Sequence, residues 1–88
     1  MIDCKKYNLS ADSLELLNYI YSALSPNYLN EIHLCYRDKP FSIEPVNGKI
    51  VVLGFDKPVY FSTVDSLLLN FFIDGKAFIE CLNEVDYD

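Results

Sequence analysis

The chain has 88 residues, 51% of them hydrophobic and 23% charged, a composition that folds and that has room for one domain around one core. Its formal net charge of −6 excludes free nucleic acid as a direct partner, because phosphate binding needs a basic surface that releases counterions. Cys4, Cys35 and Cys81 form an odd set with no C-x-x-C spacing and no apolar leader before them, which excludes a disulfide framework and predicts free thiols in a reducing, cytoplasmic setting.

Residues 1–8 are polar and are expected to be loosely ordered, and the sequon at Asn8 carries no weight in a reducing compartment. Ser10 has the position of a helix N-cap, and Leu9 and Leu14 have the spacing of a hydrophobic staple around it. Leu14, Leu17, Ile20, Tyr21 and Leu24 then recur at helical spacing until Ser25-Pro26 stops the run. Leu16, Tyr19 and Ala23 widen the stripe enough for the helix to touch more than one surface.

The period then falls to two. In "YLNEIHLCYR", Ile32, Leu34 and Tyr36 alternate with Glu31, His33, Cys35 and Arg37, the pattern of a half-buried strand. Asn47-Gly48 is the strongest short hairpin signal in the chain, because a type I′ turn needs positive φ at both central positions. "DKP" occurs twice, in "YRDKPF" and "GFDKPVY", each time between apolar segments, and reads as a turn used twice rather than as a binding repeat. Two-residue loops at Asp38-Lys39, Asn47-Gly48 and Asp56-Lys57 agree on one arrangement, a four-stranded antiparallel meander. Its first face carries Ile32, Leu34, Tyr36, Phe41, Ile43, Pro45, Ile50, Val52, Val59 and Phe61. The opposite face is polar at Glu31, His33, Cys35, Arg37, Ser42 and Glu44, then apolar at Val46, Val51, Leu53, Phe55 and Tyr60. Either residues 10–24 cover that second face, giving three layers, or they pack on the first and leave it free.

The last third is helical in pattern. Ser62 or Thr63 caps a helix with Val64, Leu67, Leu68, Phe71 and Phe72 on one stripe, and Gly75 is placed to end it. Asp74 is expected to cap a short second helix bearing Phe78, Ile79, Leu82 and Val85. The tail over residues 84–88 is expected to be loosely ordered or strand-like.

No catalytic or cofactor signature emerges. His33, Cys35 and Glu44 share a face, but side chains two apart on a strand lie roughly 6.5–7 Å apart at the backbone, long for a nucleophile and its base. No Gly-rich loop supplies an oxyanion hole, and one His-x-Cys with Glu31 and Glu44 lacks the paired spacing of a zinc site. "FIDGKAF" has neither a phosphate-loop nor a calcium-loop spacing. The expectation is an α+β fold with no enzymatic activity, no cofactor, no metal and no membrane span. It is that of a small cytoplasmic adaptor or inhibitor that binds a protein, or a second copy of itself, through Val46, Val51, Leu53, Phe55 and Tyr60. Asp65, Glu80 and Glu84 extend the surface along an acidic C-terminal edge that favours a basic partner. A second reading makes Asp65, Glu80, Glu84, Asp86 and Asp88 imitate phosphates and occupy a nucleic-acid-binding site on a basic protein. A third places an enzyme or metal centre at His33, Cys35 and Glu44.

Overall fold

Ser10 lies in extended backbone, and its Oγ accepts the Ser13 backbone N–H at 3.1 Å, which starts helix α1 (Ala11–Ala23). The structure, a computed structural model, describes residues 4–24 and 30–88. Residues 1–3 and the expected Ser25-Pro26 stop, with Tyr28 and Leu29 of the strand run, lie outside the described residues. Cys4–Tyr7 forms a short 3-10 turn before the helix. The buried stripe of α1 is Ser13, Leu16, Leu17, Ile20 and Ala23. It is rotated from the expected one, for Leu14 is 39% exposed while Leu9 packs against the core, so the two do not meet as a staple. The reason is tertiary: the Ser13 hydroxyl donates to Asn83 Oδ1 at 2.7 Å, which turns the Ser13 side of the helix toward the C-terminal segment.

Strands β1 (Ile32–Tyr36), β2 (Lys39–Val46), β3 (Lys49–Leu53) and β4 (Val59–Phe61) form the expected antiparallel meander. Asn47 and Gly48 make the β2–β3 turn with φ of 50° and 77°. The first turn falls one residue earlier than expected, on Arg37 and Asp38 (φ 48° and 66°), so that Tyr36 pairs with Lys39. Pro40 has no N–H with which to close a turn against Arg37, whereas the earlier placement makes Lys39, which has one, the closing partner of Tyr36. Moving a two-residue loop by one position shifts the pairing by two. Every side chain therefore keeps its face, and the expected core face is the one that is buried. The second DKP is not a tight turn, for Val52–Val59 is the last pair before a longer connection.

Thr63 caps α2 (Val64–Asn70), its Oγ1 accepting the Ser66 N–H at 3.0 Å. The chain then departs from the expected helix. Phe71 is extended, and β5 (Phe72–Ile73) pairs with β6 (Lys76–Ala77) across Asp74 and Gly75, both at positive φ. Asp-Gly thus makes a hairpin rather than a helix break, and Glu80 rather than Asp74 caps α3 (Phe78–Cys81), accepting the Ala77 N–H at 3.1 Å. After a 3-10 turn at Leu82–Glu84, the tail forms β7 (Val85–Tyr87), which pairs antiparallel with β1. The sheet therefore has five strands, in the order β4-β3-β2-β1-β7.

All three helices pack on the same face of this sheet. Leu17 and Ile20 of α1, Leu67 and Leu68 of α2, and Phe78 and Ile79 of α3 join Ile32, Leu34, Ile43 and Val52 in one buried cluster. Of the two arrangements left open by the sequence, the molecule adopts the two-layered one. Phe41, Phe55, Phe61, Phe71 and Phe78 contact each other through ring pairs 5.4–6.0 Å apart at one end of this core. Phe55 corrects an expectation, for it belongs to the core side and not to the opposite face. At Gly54 (φ 113°) a Cβ would sit 2.8 Å from Phe41 Cα, so only glycine permits the bend that swings Phe55 inward.

Candidate functional site

Directly paired residues on neighbouring strands share a face, so the register lays out the uncovered side of the sheet. One row across it runs Glu44, Val51, Tyr60, and a second runs His33, Ser42, Leu53. Val46 and Lys49 pair at the β2–β3 turn, and Cys35 pairs with Asp86 toward the β7 edge. The Asp88 N–H donates to His33 O at 3.2 Å, which brings the last residue onto the same face.

The apolar half of this face is smaller than the sequence implied. Val51 lies outside the core cluster yet is only 2% exposed, and Leu53 is half-buried. Val46, 40% exposed, and Tyr60, 58% exposed, form its accessible part. Of the five residues expected to bind, Phe55 belongs to the core side, Val51 is covered and Leu53 is half-buried, which leaves Val46 and Tyr60 accessible.

The other half is acidic. Glu31 and Glu44 meet across β1 and β2, and Glu31 Oε1 lies 2.7 Å from His33 Nε2. The hydrogen bond from Glu44, followed by that from His33 and its charge, holds the Glu31 carboxyl below its usual range. The same bond to Glu31, with partial burial and the neighbouring negative charge, raises Glu44. His33 was expected opposite Glu44; the two-residue change in register puts Ser42 there and leaves His33 with Glu31. Asp86 and Asp88 extend the acidic side toward the sheet edge.

The carboxylates expected to form an acidic edge lie instead on the helical layer, each bound within the chain. The Tyr21 hydroxyl donates to Asp65, and Glu80 caps α3. Glu84 Oε1 accepts from Arg37 Nε at 3.0 Å and Nη2 at 2.6 Å, and that fork keeps the Glu84 carboxyl below its usual range. Asp65 lines a hollow with Pro45, Asn47 and Lys49 at the β2–β3 turn, whereas Glu80 and Glu84 are held at the start of α3 and against Arg37.

Chemistry fares no better in three dimensions. Cys35 is half-buried with no bond to His33, and burial pushes the Cys81 thiol up, away from the reactive thiolate. Among the described residues no three His, Cys, Asp or Glu side chains are arranged to hold a metal ion, and no helix is long and apolar enough to cross a membrane. Sequence reasoning missed Asp86 and Asp88 as part of the open face. The alternation of Val85 and Tyr87 with Asp86 and Asp88 was the available signal, a strand pattern short enough to pass for a frayed tail.

No protein-family model, curated protein or solved structure matches this chain.

Proposed function

We propose that the protein is a non-enzymatic interaction module, an adaptor or inhibitor, whose docking surface is the open face of its sheet. One observation carries this reading: the helices pack on a single side, leaving the other side of β2, β3 and β4 with Val46 and Tyr60 exposed and Leu53 half-buried. The charges around that patch favour one class of partner. Glu31, Glu44, Asp86 and Asp88 flank the apolar side chains with Lys49 as the opposing cation, so two copies meeting face to face would set carboxylates against carboxylates. A surface bearing Lys or Arg beside apolar side chains is the better complement. The phosphate-mimic reading draws less support, because Asp65, Glu80 and Glu84 are each engaged by a partner within the chain. A cytoplasmic setting is part of the proposal and rests on the free thiols of Cys35 and Cys81.

Solution mass and titration with an alternating Lys-Leu peptide test the proposal together. The wild type should be monomeric and bind the peptide with an affinity that falls as salt rises, and Leu53→Asp should weaken it about tenfold while staying folded. Peptide binding untouched by a folded Leu53→Asp would remove the face from the interaction. A dimer that Leu53→Asp dissociates would assign the face to a second copy instead.

A further inference from the structure

A second site lies on the helical side, at the end of the sheet where β1 turns into β2. Lys39 pairs with Tyr36, so its side chain is on the core face. There it reaches past the core toward a hollow of ≈ 310 Å³ between the sheet end and the β5–β6 hairpin. The floor is aromatic. Phe55 is the outer member of the phenyl cluster, and Phe72, carried on the hairpin, is 60% exposed beside it.

The cations at the rim differ in availability. Arg37 is committed to Glu84 through two nitrogens and approaches Asp74 at 3.9 Å. Lys39 forms no ion pair among the described residues; its Nζ sits 4.6 Å from the centre of the Phe55 ring. One unneutralised ammonium over an aromatic floor, in a space at the lower limit for small-molecule pockets, selects a ligand of matching form.

We infer that this hollow binds a small aromatic carboxylate, its ring laid between Phe55 and Phe72 and its carboxylate on Lys39. The ring replaces water on apolar surface, and the carboxylate gives Lys39 the counter-charge that the fold withholds. This site is independent of the open sheet face, and the failure of either proposal leaves the other standing.

Indole-3-acetate, followed by backbone amide NMR, is a direct probe. It should give saturable shifts at Lys39, Phe55, Phe72 and Ile73 in the millimolar range or tighter. Indole-3-ethanol, which keeps the ring and lacks the charge, should bind about fivefold more weakly, and Lys39→Met should lose about the same factor for indole-3-acetate. Lys39→Arg should restore most of it, and Phe72→Ala should weaken both ligands. Lys39 and Phe72 are exposed, so their substitution leaves the core intact. Equal affinity for the two indoles, full affinity in Lys39→Met, or shifts confined to another part of the molecule would each overturn the assignment.

Discussion

Gly54 shows how one residue redirects a surface. Its φ of 113° belongs to a region that side-chain-bearing residues avoid, and an added Cβ would meet Phe41 Cα at 2.8 Å and Phe41 Cβ at 2.9 Å. Gly75 is a natural comparison, since its φ of 81° is also positive but nothing lies within 4 Å of its missing Cβ. Gly54→Ala should therefore cost about 3 kcal/mol or more, joining backbone strain to overpacking, whereas Gly75→Ala should cost about 1–2 kcal/mol from conformation alone. Urea unfolding of the two variants distinguishes them, and equal losses would mean that the Phe41 contact carries no weight. The consequence for the outer face is visible at Phe55. Simple alternation places it with Val51 and Leu53, but the bend at Gly54 delivers its ring to Phe41 and Phe71.

Among the elements, the chain ends meet through Asn83. Its Oδ1 accepts from the Ser10 N–H at 2.9 Å and the Ser13 hydroxyl at 2.7 Å, while its Nδ2 donates to Asn8 O at 3.1 Å. This joins the start of α1 to the turn before β7 and fixes the rotation of the helix. Asn83→Ala should destabilise the fold by about 2 kcal/mol, against about 1 kcal/mol for Thr63→Ala, which removes one capping bond. Ser13→Ala combined with Asn83→Ala should cost less than the sum of the two, as expected for partners in one network; strict additivity in thermal unfolding would show that the bond contributes nothing. Caps such as Ser10 and Thr63 were legible in the sequence because each acts within three residues of itself. The partnership with Asn83 was not, for the residues lie 70 or more positions apart. Asp74-Gly75 was misread for a different reason: the same dipeptide ends helices and closes hairpins, and its flanking strands have only two residues each.

For the molecule as a whole, the two faces of the sheet carry unequal shares of stability. Ile43 is fully buried between β1, β3 and the helices, whereas Tyr60 is largely exposed on the other side. Ile43→Ala should cost about 2–5 kcal/mol, a large part of the roughly 4–13 kcal/mol expected for a domain of this size. Tyr60→Ala should change stability by about 0.5 kcal/mol or less. Chemical denaturation measures both. A large loss at Tyr60 would show that the open face helps hold the monomer together and is not kept for a partner.

The sequence by itself determined the α+β class, the two capped helix starts, the meander and the division of its side chains between two faces. These follow from short-range physics: a period of two, a capping hydroxyl, and turns whose two-residue loops keep each side chain on its face even when the register slips by two. Only the tertiary structure decided that α1 joins the other helices on one side, that the tail adds a fifth strand, and that Phe55 leaves the outer face. Each of those outcomes depends on contacts between segments far apart in the chain, such as Ser13 with Asn83 and Tyr36 with Val85. Local pattern shows which surfaces are apolar, but packing between distant segments chooses which of them stays uncovered.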